Sequence, residues 1–366
     1  MLRLGLRKVI NARSRKWEVI LKRNKINSAQ IAKLAGVSRS TVSRVINNYP
    51  NVPSETREKV MKIIKENDYF PDMSAQVLAG KNMRTIGLFI IDKGSVSSDF
   101  TSNTLITSVI EEASKHDYYV LTNIIRDCKS PNNVERVKAV FYQNRIDAGI
   151  FMGTDNHEPL IEELIAEGFI LGIVDQDMPG RDEPNRIVYS FDNENGATKA
   201  VDYLVNLNHR KIGIINGNLK RHAGIARYNG FLAGMKQHSL PVRREWVLQS
   251  DFSSDESYQT MERFLKSNVE LPTAFFAAND KIAFGVIRAL KEKGINVPAD
   301  ISVIGIDDNV LSKLFQPPLT TFRAEFSKMM KSLTFDVITT IEQTKESGIK
   351  VTMGSELIVR ESCRSL

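Results

Sequence analysis

The 366 residues are enough for two or three domains with a sizeable core. Apolar residues make up 42% of the chain, but no apolar run reaches the roughly 18 residues that crossing a bilayer requires. The net charge of +7 is unevenly spread, since residues 1–84 carry 18 Lys and Arg against 6 Asp and Glu. A basic N-terminal part followed by a mildly acidic remainder favours nucleic-acid binding by the N-terminal part. A solvated basic face is the alternative.

The first 25 residues hold nine Lys or Arg and a single acid, Glu18. No apolar stretch followed by small residues is present, so a secretory signal is not expected. We interpret residues 1–25 as a mostly disordered basic arm that contacts the DNA backbone, or else as an artefact of an early start codon. The two cysteines, Cys128 and Cys363, match no metal or redox spacing and fit idle thiols in a reducing cytoplasm.

Residues 28–47, SAQIAKLAGVSRSTVSRVIN, predict two short helices separated by a turn at Gly36. Ser38 is suited to cap the second helix, because its hydroxyl can accept from the free amides at a helix start. The apolar edge of this helix carries Val42, Val45 and Ile46, and its other faces carry Arg39, Ser40, Thr41, Ser43 and Arg44. Such a helix suits a DNA major groove, where base edges offer donors and acceptors and phosphates flank them.

Two further helices complete the N-terminal part. Ser54 is suited to cap a helix over about 55–67. A short helical segment follows at 72–79, with Asp72 as a cap and Gly80 as the terminating residue. A helix this short is marginal alone and needs DNA or a partner chain to form. We therefore assign 26–71 to a helix-turn-helix domain and 72–84 to a hinge helix and linker.

From Thr85 onward, near-continuous apolar segments alternate with helical ones. Strands are predicted at 86–91, 118–123, 148–152, 170–174, 212–216, 246–248, 274–277, 302–306 and 356–360. Helices are predicted at 103–116, 132–144, 158–168, 194–207, 223–238, 255–267, 280–293 and 325–346. This alternation is typical of parallel sheets covered on both faces, and the number of strands favours two lobes over one sheet.

The break between the lobes is predicted within 175–193, where Met178–Pro184 is a clear loop. We assign 85–366 to a two-lobed α/β domain, which the family resemblance described below makes the effector-binding and dimerisation domain. Lobe one comprises about 85–188 and 322–348, and lobe two about 189–321 and 349–366. Ligands of open α/β sheets bind at the carboxyl ends of strands, so two facing lobes would form a cleft there.

The chain resembles the lactose-repressor (LacI/GalR) family of bacterial transcription regulators over residues 27–363. The resemblance is carried by these segments in family order: AKLAGVSRSTVSRVINN, VPSETREKV, AQVLAG, NHRKIGIING, RYNGF, AAND, ISVIGIDD, PPLTT and ELIVRES. It implies an N-terminal all-α helix-turn-helix domain followed by an α/β two-lobed, periplasmic-binding-protein-like domain with parallel sheets.

The resemblance also implies homodimers that bind a near-palindromic double-stranded DNA operator. The residues then expected at the DNA are Ser38, Arg39, Ser40, Thr41, Ser43, Arg44, Asn47, Ala75 and Leu78. Arg39 would bond bidentately to a guanine, a phosphate contact being the alternative. Leu78 would wedge a central base step from the minor groove, with helix packing as the alternative. Asp72 replaces the family's usual Asn, and a carboxylate beside phosphates fits a helix cap better than a DNA contact.

For the effector, the resemblance places a ligand-binding arginine at Arg227 and an aspartate at Asp280. Asp175 occupies another ligand position, and Phe252 matches an aromatic residue that stacks on the ligand. An arginine suits ring hydroxyls or carboxylates, and an aspartate accepts from two hydroxyls. The structural alternatives are a surface ion pair for Arg227, a helix cap for Asp280, a loop charge for Asp175 and core packing for Phe252.

Three positions bear on the kind of effector. Arg221 stands where the purine-repressor branch has a second ligand arginine, and two guanidiniums in one cleft favour an anionic effector; a solvated loop charge is the alternative. Gln176 replaces that branch's stacking tryptophan, which argues against a purine. The family's usual entry after the first strand is missing, and residues 92–104 offer side chains such as Asn103 instead.

We therefore expect a cytoplasmic, nucleoid-associated bacterial repressor of a catabolic operon, controlled by a sugar or sugar derivative bound between the lobes. The alternatives are a regulator with a nucleobase-type corepressor and a solute-binding protein, which the helix-turn-helix pattern disfavours. No dinucleotide fingerprint, phosphate loop, nucleophile elbow or His/Cys cluster is present, so an enzyme is not expected. We expect no cofactor, metal or membrane association.

Overall fold

The computed structural model describes residues 26–70, 82–92, 94, 96–343 and 345–366. These residues form two compact units, with the boundary between Asn82 and Met83. The basic arm at 1–25 and the hinge helix at 72–79 lie outside the described residues, so both stay predictions. In the described ranges, no helix is long and apolar enough to cross a membrane.

The first unit is a three-helix domain made of α1 (Ser28–Ala35), α2 (Arg39–Ile46) and α3 (Ser54–Glu66). Asn27 and Gln30 cap α1 reciprocally, each side chain accepting from the other's backbone N–H. Gly36 ends α1 at φ 65°, a conformation that costs glycine little. The helices share one apolar core, formed by Ile31, Ala32, Ala35, Val42, Val45, Val52 and Val60. The predicted helix-turn-helix is confirmed.

The second unit contains two six-stranded sheets. The first is built from β1 (Thr85–Ile91), β2 (Tyr119–Ile125), β3 (Ala148–Met152), β4 (Ile170–Val174), β5 (Arg186–Phe191) and β11 (Ile349–Met353). Their order is β11-β5-β4-β3-β1-β2, and all neighbours are parallel. Its helices are α4 (Phe100–Lys115), α5 (Pro131–Tyr142), α6 (Pro159–Ala166) and α11 (Phe326–Glu342).

The second sheet is built from β6 (Ile212–Asn216), β7 (Val247–Gln249), β8 (Ala274–Ala277), β9 (Ser302–Asp307), β10 (Thr320–Arg323) and β12 (Glu356–Ile358). Their order is β12-β10-β9-β8-β6-β7, parallel except for the pair β10 and β12. Its helices are α7 (Asn193–Asn206), α8 (His222–Gln237), α9 (Ser254–Lys266) and α10 (Asp280–Glu292). The predicted two-lobed α/β fold with parallel sheets is confirmed.

The chain passes between the sheets after β5, after β10 and after β11. Our expected assignment of 349–366 to lobe two is wrong in part, because β11 pairs with β5 in the first sheet. The expected end of the first segment of lobe one at 188 is also too early, since β5 runs on to Phe191. Strands β5, β10 and β11 were not predicted.

Strand β5 escaped prediction because it begins with a charge next to a loop. Arg186 is only 3% exposed, and its guanidinium donates to Glu162, Glu183 and Gln176 over 2.7–3.1 Å. Two carboxylates thus compensate the desolvation of this cation. These partners are either distant in sequence or in the preceding loop. A prediction that relies on uninterrupted apolar segments therefore misses the strand.

Two packing details fix the second sheet. A Cβ at Gly230 would lie 2.1 Å from the carbonyl oxygen of Glu194, so α7 and α8 approach closely there. His209 is fully buried before β6, with its ring nitrogens 2.9 Å from Thr273 Oγ1 and 3.0 Å from Ser302 Oγ. Burial lowers the pKa of His209 below its ordinary value of 6.5.

Candidate functional site

Helix α2 presents a polar face made of the residues that the sequence singled out. Ser38 caps it by accepting from the Thr41 N–H at 3.1 Å. Val42 and Val45 are buried in the core and fix which face turns outward. The remaining positions are exposed or half-buried: Ser38, Arg39, Ser40, Thr41, Ser43, Arg44 and Asn47. This face combines two guanidiniums with short hydroxyl and amide groups, a set able to contact phosphates and base edges.

Several of these side chains contact each other. Arg39 Nη2 donates to Ser28 Oγ over 3.4 Å, a long hydrogen bond that leaves most of the guanidinium available. Asn47 Nδ2 donates to Ser43 Oγ over 3.2 Å, while Asn47 Oδ1 is buried without a partner among the described residues. Ala75 and Leu78 lie outside the described residues.

A cavity of about 190 Å³ lies between the two sheets of the second unit. It is formed where β1, β3 and β4 of the first sheet and β8 and β9 of the second sheet end, as expected for parallel strands. Among the predicted residues, Asp175, Arg221, Arg227 and Phe252 line this cavity. Further lining comes from Asp99, Thr101, Ser102, Thr154, Asn193, Asn279, Lys281, Asp307 and Phe326.

Arg227 is the centre of a hydrogen-bond network at the cavity. Its Nε donates to Asn193 Oδ1 over 2.8 Å, and its Nη1 donates to the carbonyl oxygen of Ala278. Its Nη2 lies 3.6 Å from Asp307 Oδ1, an ion pair. Burial raises the pKa of Asp307, and the charges of Arg227 and Lys281 oppose this shift. The guanidinium is thus held rigidly, with a carboxylate beside it that can accept from a ligand hydroxyl.

Asp175 and Phe252 are both held by unusual backbone conformations. Asp175 has φ 64° and accepts from Asn193 Nδ2 at 2.8 Å and from the Ala223 N–H at 3.1 Å. Phe252 has φ 71°, and its ring packs so closely on Gly217 that a Cβ there would lie 2.1 Å away. Both residues thus line the cavity from the left-handed backbone region, which residues other than glycine adopt at some cost.

Asp280 does not line the cavity, so its expected role as a ligand contact is wrong. Its side chain is completely buried, and its carboxylate accepts from Ser312 Oγ at 2.6 Å, Thr321 Oγ1 at 2.5 Å and the Asn309 N–H at 2.8 Å. Burial, and next the charge of Asp307, raise the pKa of Asp280. Through these hydrogen bonds the carboxylate joins the start of α10 to the loop at 309–312 and to β10. It has no exposed surface that a ligand could contact.

Asn103 also lies away from the cavity. Its Nδ2 donates to the carbonyl oxygen of Ser97 over 3.1 Å, which ties the side chain to the preceding turn. Asp99 takes its place at the cavity, because it caps α4 and thereby starts that helix earlier than predicted. Asp99 also joins the two lobes, since its Oδ2 lies 3.0 Å from Lys281 Nζ.

The sequence carried a usable signal for two residues that we missed. Asn279 and Asp307 belong to the motifs AAND and ISVIGIDD, and each stands at or just after the end of a strand. The expectation that ligands bind at the carboxyl ends of parallel strands applies to both residues as well as to Asp280. Asn193, by contrast, follows strand β5, and because that strand was not predicted, Asn193 could not be predicted as a site residue either. Neither Cys128 nor Cys363 is among the residues that line the cavity, and burial raises the pKa of each thiol to about 12.

Comparisons with known proteins agree with this architecture. Residues 29–72 match a family model described as bacterial regulatory proteins, lacI family, and residues 201–363 match a periplasmic binding protein-like domain. The chain is 32% identical to the HTH-type transcriptional repressor PurR of Pasteurella multocida (strain Pm70), covering 92% of this chain and 98% of the relative. It is 31% identical, over the same shares, to the probable HTH-type transcriptional repressor ExuR of Bacillus subtilis (strain 168).

Among solved structures, the lac repressor dimer bound to operator and the anti-inducer ONPF superposes with a TM-score of 0.77 at 25% identity. This alignment covers 93% of the present chain and 99% of the solved one.

Proposed function

Because the chain belongs to the lacI family of bacterial regulatory proteins, we propose that it is a dimeric transcription repressor that binds operator DNA and responds to a small effector. The observation that carries this proposal is the presence of two binding elements in one chain. One is the polar face of α2, and the other is the cavity between the lobes of the second unit. On this proposal, the protein acts in the bacterial cytoplasm, at the nucleoid.

We assign base reading to Arg39 and Ser40, which begin α2 and are exposed. A guanidinium can donate two parallel hydrogen bonds to guanine, so Arg39 is expected to select a G·C pair. Arg44 lies on the same helix and is suited to a phosphate or a second base. For Ala75 and Leu78, which lie outside the described residues, a contact with the minor groove remains part of the proposal.

In the effector site, we assign the ligand contacts to Asp175, Arg227, Phe252, Asn279 and Asp307. Arg227 supplies donors, the two carboxylates accept from hydroxyls, and the Phe252 ring covers an apolar face of the ligand. This set suits the alternating polar edge and apolar face of a sugar ring. The effector of this proposal is a sugar or a sugar derivative.

The nucleobase alternative is less well supported. Gln176, which stands in place of a stacking tryptophan, is 1% exposed and donates to the carbonyl oxygen of Asn156 instead of lining the cavity. The solute-binding alternative lacks an explanation for the helix-turn-helix match at residues 29–72.

Gel retardation of DNA from around the coding locus tests the proposal. The full chain should retard a specific fragment, footprinting should reveal a near-palindromic site, and an effector should change the midpoint of retardation. Absence of specific retardation, with and without a panel of sugars, would refute it.

Charge-matched variants sharpen the experiment. Arg39→Ala and Lys62→Ala each remove one positive charge from the three-helix domain, so both should reduce non-specific binding to a similar extent. Only Arg39→Ala should relax the base preference at one operator position. Equal effects of the two variants on every operator sequence would mean that Arg39 contacts only a phosphate and reads no base.

A further inference from the structure

The first turn of α4 in the first lobe contacts the second lobe. Asp99, the N-cap of α4, accepts from Lys281 Nζ at 3.0 Å, and Lys281 lies in the first turn of α10. Two residues after Asp99, Thr101 Oγ1 accepts from Asn309 Nδ2 at 3.1 Å. Asp99, Thr101 and Lys281 all line the cavity. One ion pair and one hydrogen bond therefore join the two lobes at the cavity.

The carboxylate of Asp99 is held in place by its own lobe. Its Oδ1 accepts from the Thr101 N–H at 3.2 Å and so caps α4, and its Oδ2 accepts from Ser102 Oγ at 2.7 Å as well as from Lys281. The side chains of Asp99 and Lys281 are 12% and 33% exposed, so water screens this ion pair less than a surface pair. The pair needs little further ordering of the carboxylate to form.

Asn309 is held in a similar way by the second lobe. Its N–H donates to the buried carboxylate of Asp280 over 2.8 Å, and its Oδ1 accepts from the N–H two residues later. Asp308, just before it, has φ 53°, and the Asp308 carboxylate accepts from Arg323 Nε at 2.8 Å and from Arg360 Nη2 at 2.6 Å. Asp280 therefore positions the amide that reaches the first lobe.

Elsewhere the lobes are joined by hydrogen bonds that involve the backbone or lie beside a chain crossing. The Asn156 N–H donates to the carbonyl oxygen of Lys220 over 2.7 Å, and the Ala223 N–H donates to Asp175 over 3.1 Å. Asn193, which also donates to Asp175, comes directly after the crossing that follows β5. The contacts at α4, by contrast, join side chains, so single substitutions can remove them without changing the backbone.

The polar groups inside the cavity are shielded from solvent in this arrangement. Thr154, Arg227, Asn279 and Asp307 line the cavity, and none of them is more than 9% exposed. A molecule from solution reaches these groups only when the lobes move apart. Since α4 belongs to the first lobe and α10 to the second, such a movement breaks the contacts at the first turn of α4.

We propose that these contacts form a latch that holds the two lobes together and must separate before a molecule from solution enters the cavity. The latch consists of Asp99, Thr101, Lys281 and Asn309. This inference rests on the effector function proposed above for the cavity. The effector binds the fraction of molecules in which the latch is separated, so that fraction sets the effector concentration at which the regulator responds.

The reaction of a thiol placed inside the cavity measures the separation of the lobes. Thr154→Cys replaces a buried hydroxyl that has no hydrogen-bond partner among the described residues, so the substitution removes no hydrogen bond. The full chain with this substitution is treated with iodoacetamide, and mass spectrometry follows the modification at position 154. Burial raises the pKa of the Cys128 and Cys363 thiols to about 12, so both react slowly.

Two latch variants, each combined with Thr154→Cys, should raise the rate of modification about three- to tenfold: Asp99→Asn and Lys281→Gln. Asparagine is also a good N-cap, so the start of α4 is kept. The two substitutions change the local charge in opposite directions. An effect on the pKa of the thiol would therefore change the two rates in opposite directions, whereas loss of the latch raises both. Both substitutions together should react no faster than the faster single variant, because they remove the same contact.

Lys331→Gln is the matched control. It removes the ion pair in which Lys331 Nζ lies 2.8 Å from Glu111 Oε2, and this pair joins α4 to α11 within the first lobe. The rate should therefore equal that of Thr154→Cys alone. Thr101→Val keeps the shape of the side chain but removes the acceptor of Asn309, so it should raise the rate about two- to fivefold.

Unchanged rates in Asp99→Asn and Lys281→Gln, rates that move in opposite directions, or an equal rise in Lys331→Gln would each overturn the latch. Should Thr154→Cys fail to fold, Ala223→Cys places the thiol on the cavity wall of the second lobe and allows the same measurement. Operator retardation by the wild-type chain, measured in parallel, tests the regulator function separately. A chain that retards no operator, while both latch variants react faster, would keep the latch and lose that function.

Discussion

Replacing Asp280 by alanine should destabilise the second lobe rather than remove a ligand contact. The substitution leaves the Ser312 and Thr321 hydroxyls and the Asn309 N–H without their acceptor. Each buried donor left unsatisfied costs about 1–3 kcal/mol, and the removal of a buried carboxylate returns part of this. We expect the free energy of unfolding to fall by about 2–5 kcal/mol.

Urea unfolding at a fixed protomer concentration measures this loss, because the stability of a dimer depends on concentration. Trp246 is 2% exposed in the core of the second lobe, so its fluorescence reports on the affected part. Should Asp280→Ala fail to fold, Asp280→Asn keeps the side-chain volume and allows the same measurement with a smaller loss.

Asp307→Asn is the companion variant. It retains an oxygen beside Arg227 but removes the charge that compensates this buried guanidinium, so the free energy of unfolding should fall by about 1–3 kcal/mol. Its response to the effector should weaken by about tenfold or more, because the carboxylate acceptor is lost. An Asp280→Ala variant with wild-type stability and no effector response would refute the assignment of the two aspartates.

Three other predictions follow from the structure. Arg39→Ala should cost about 1–3 kcal/mol on the cognate operator, measured by gel retardation against operators altered at one position; a uniform loss on all of them would contradict base reading. Gly230→Ala should lower the free energy of unfolding by about 1–3 kcal/mol, since a Cβ would meet the Glu194 carbonyl oxygen; an unchanged urea midpoint would contradict the close approach of the two helices. The lowered pKa of His209 means that the unfolded chain protonates first, so its contribution to stability is present above pH 6.5 and is lost as the pH falls below it. Unfolding free energies between about pH 7.5 and about pH 5.5 should therefore fall less steeply in His209→Gln, and identical slopes would exclude this role.

Most of the fold could be predicted from apolar runs, because strands buried on both faces leave a continuous signal. Two of the three strands that we did not predict have clear physical reasons. Strand β5 begins with a buried cation that Glu162 and the nearby loop residue Glu183 compensate, and β11 alternates exposed and half-buried residues at the edge of its sheet. Neither strand presents the uninterrupted apolar run that marks β1 or β3. The expected lobe boundaries failed at these same two strands.

In the cavity, the sequence predicted the location better than the individual contacts. The rule of carboxyl ends applies equally to Asn279, Asp280 and Asp307, which follow or end two neighbouring strands. Which of them faces the ligand depends on the turn between strand and helix. Asn279 caps α10, so Asp280 becomes the first helical residue and turns toward Ser312 and Thr321. No sequence spacing encodes that choice.

Because the chain passes between the two sheets three times, the first lobe cannot complete its fold early during synthesis on the ribosome. The core of the first lobe includes Met330, Leu333 and Val337 of α11, and its sheet is completed by β11. When β5 has emerged, residues 192–353 must still be synthesised before that core can close. At about 5–20 residues per second, the nascent first sheet keeps an uncovered apolar face for about 10–30 seconds. During that interval the uncovered apolar face is open to association with other incompletely folded chains.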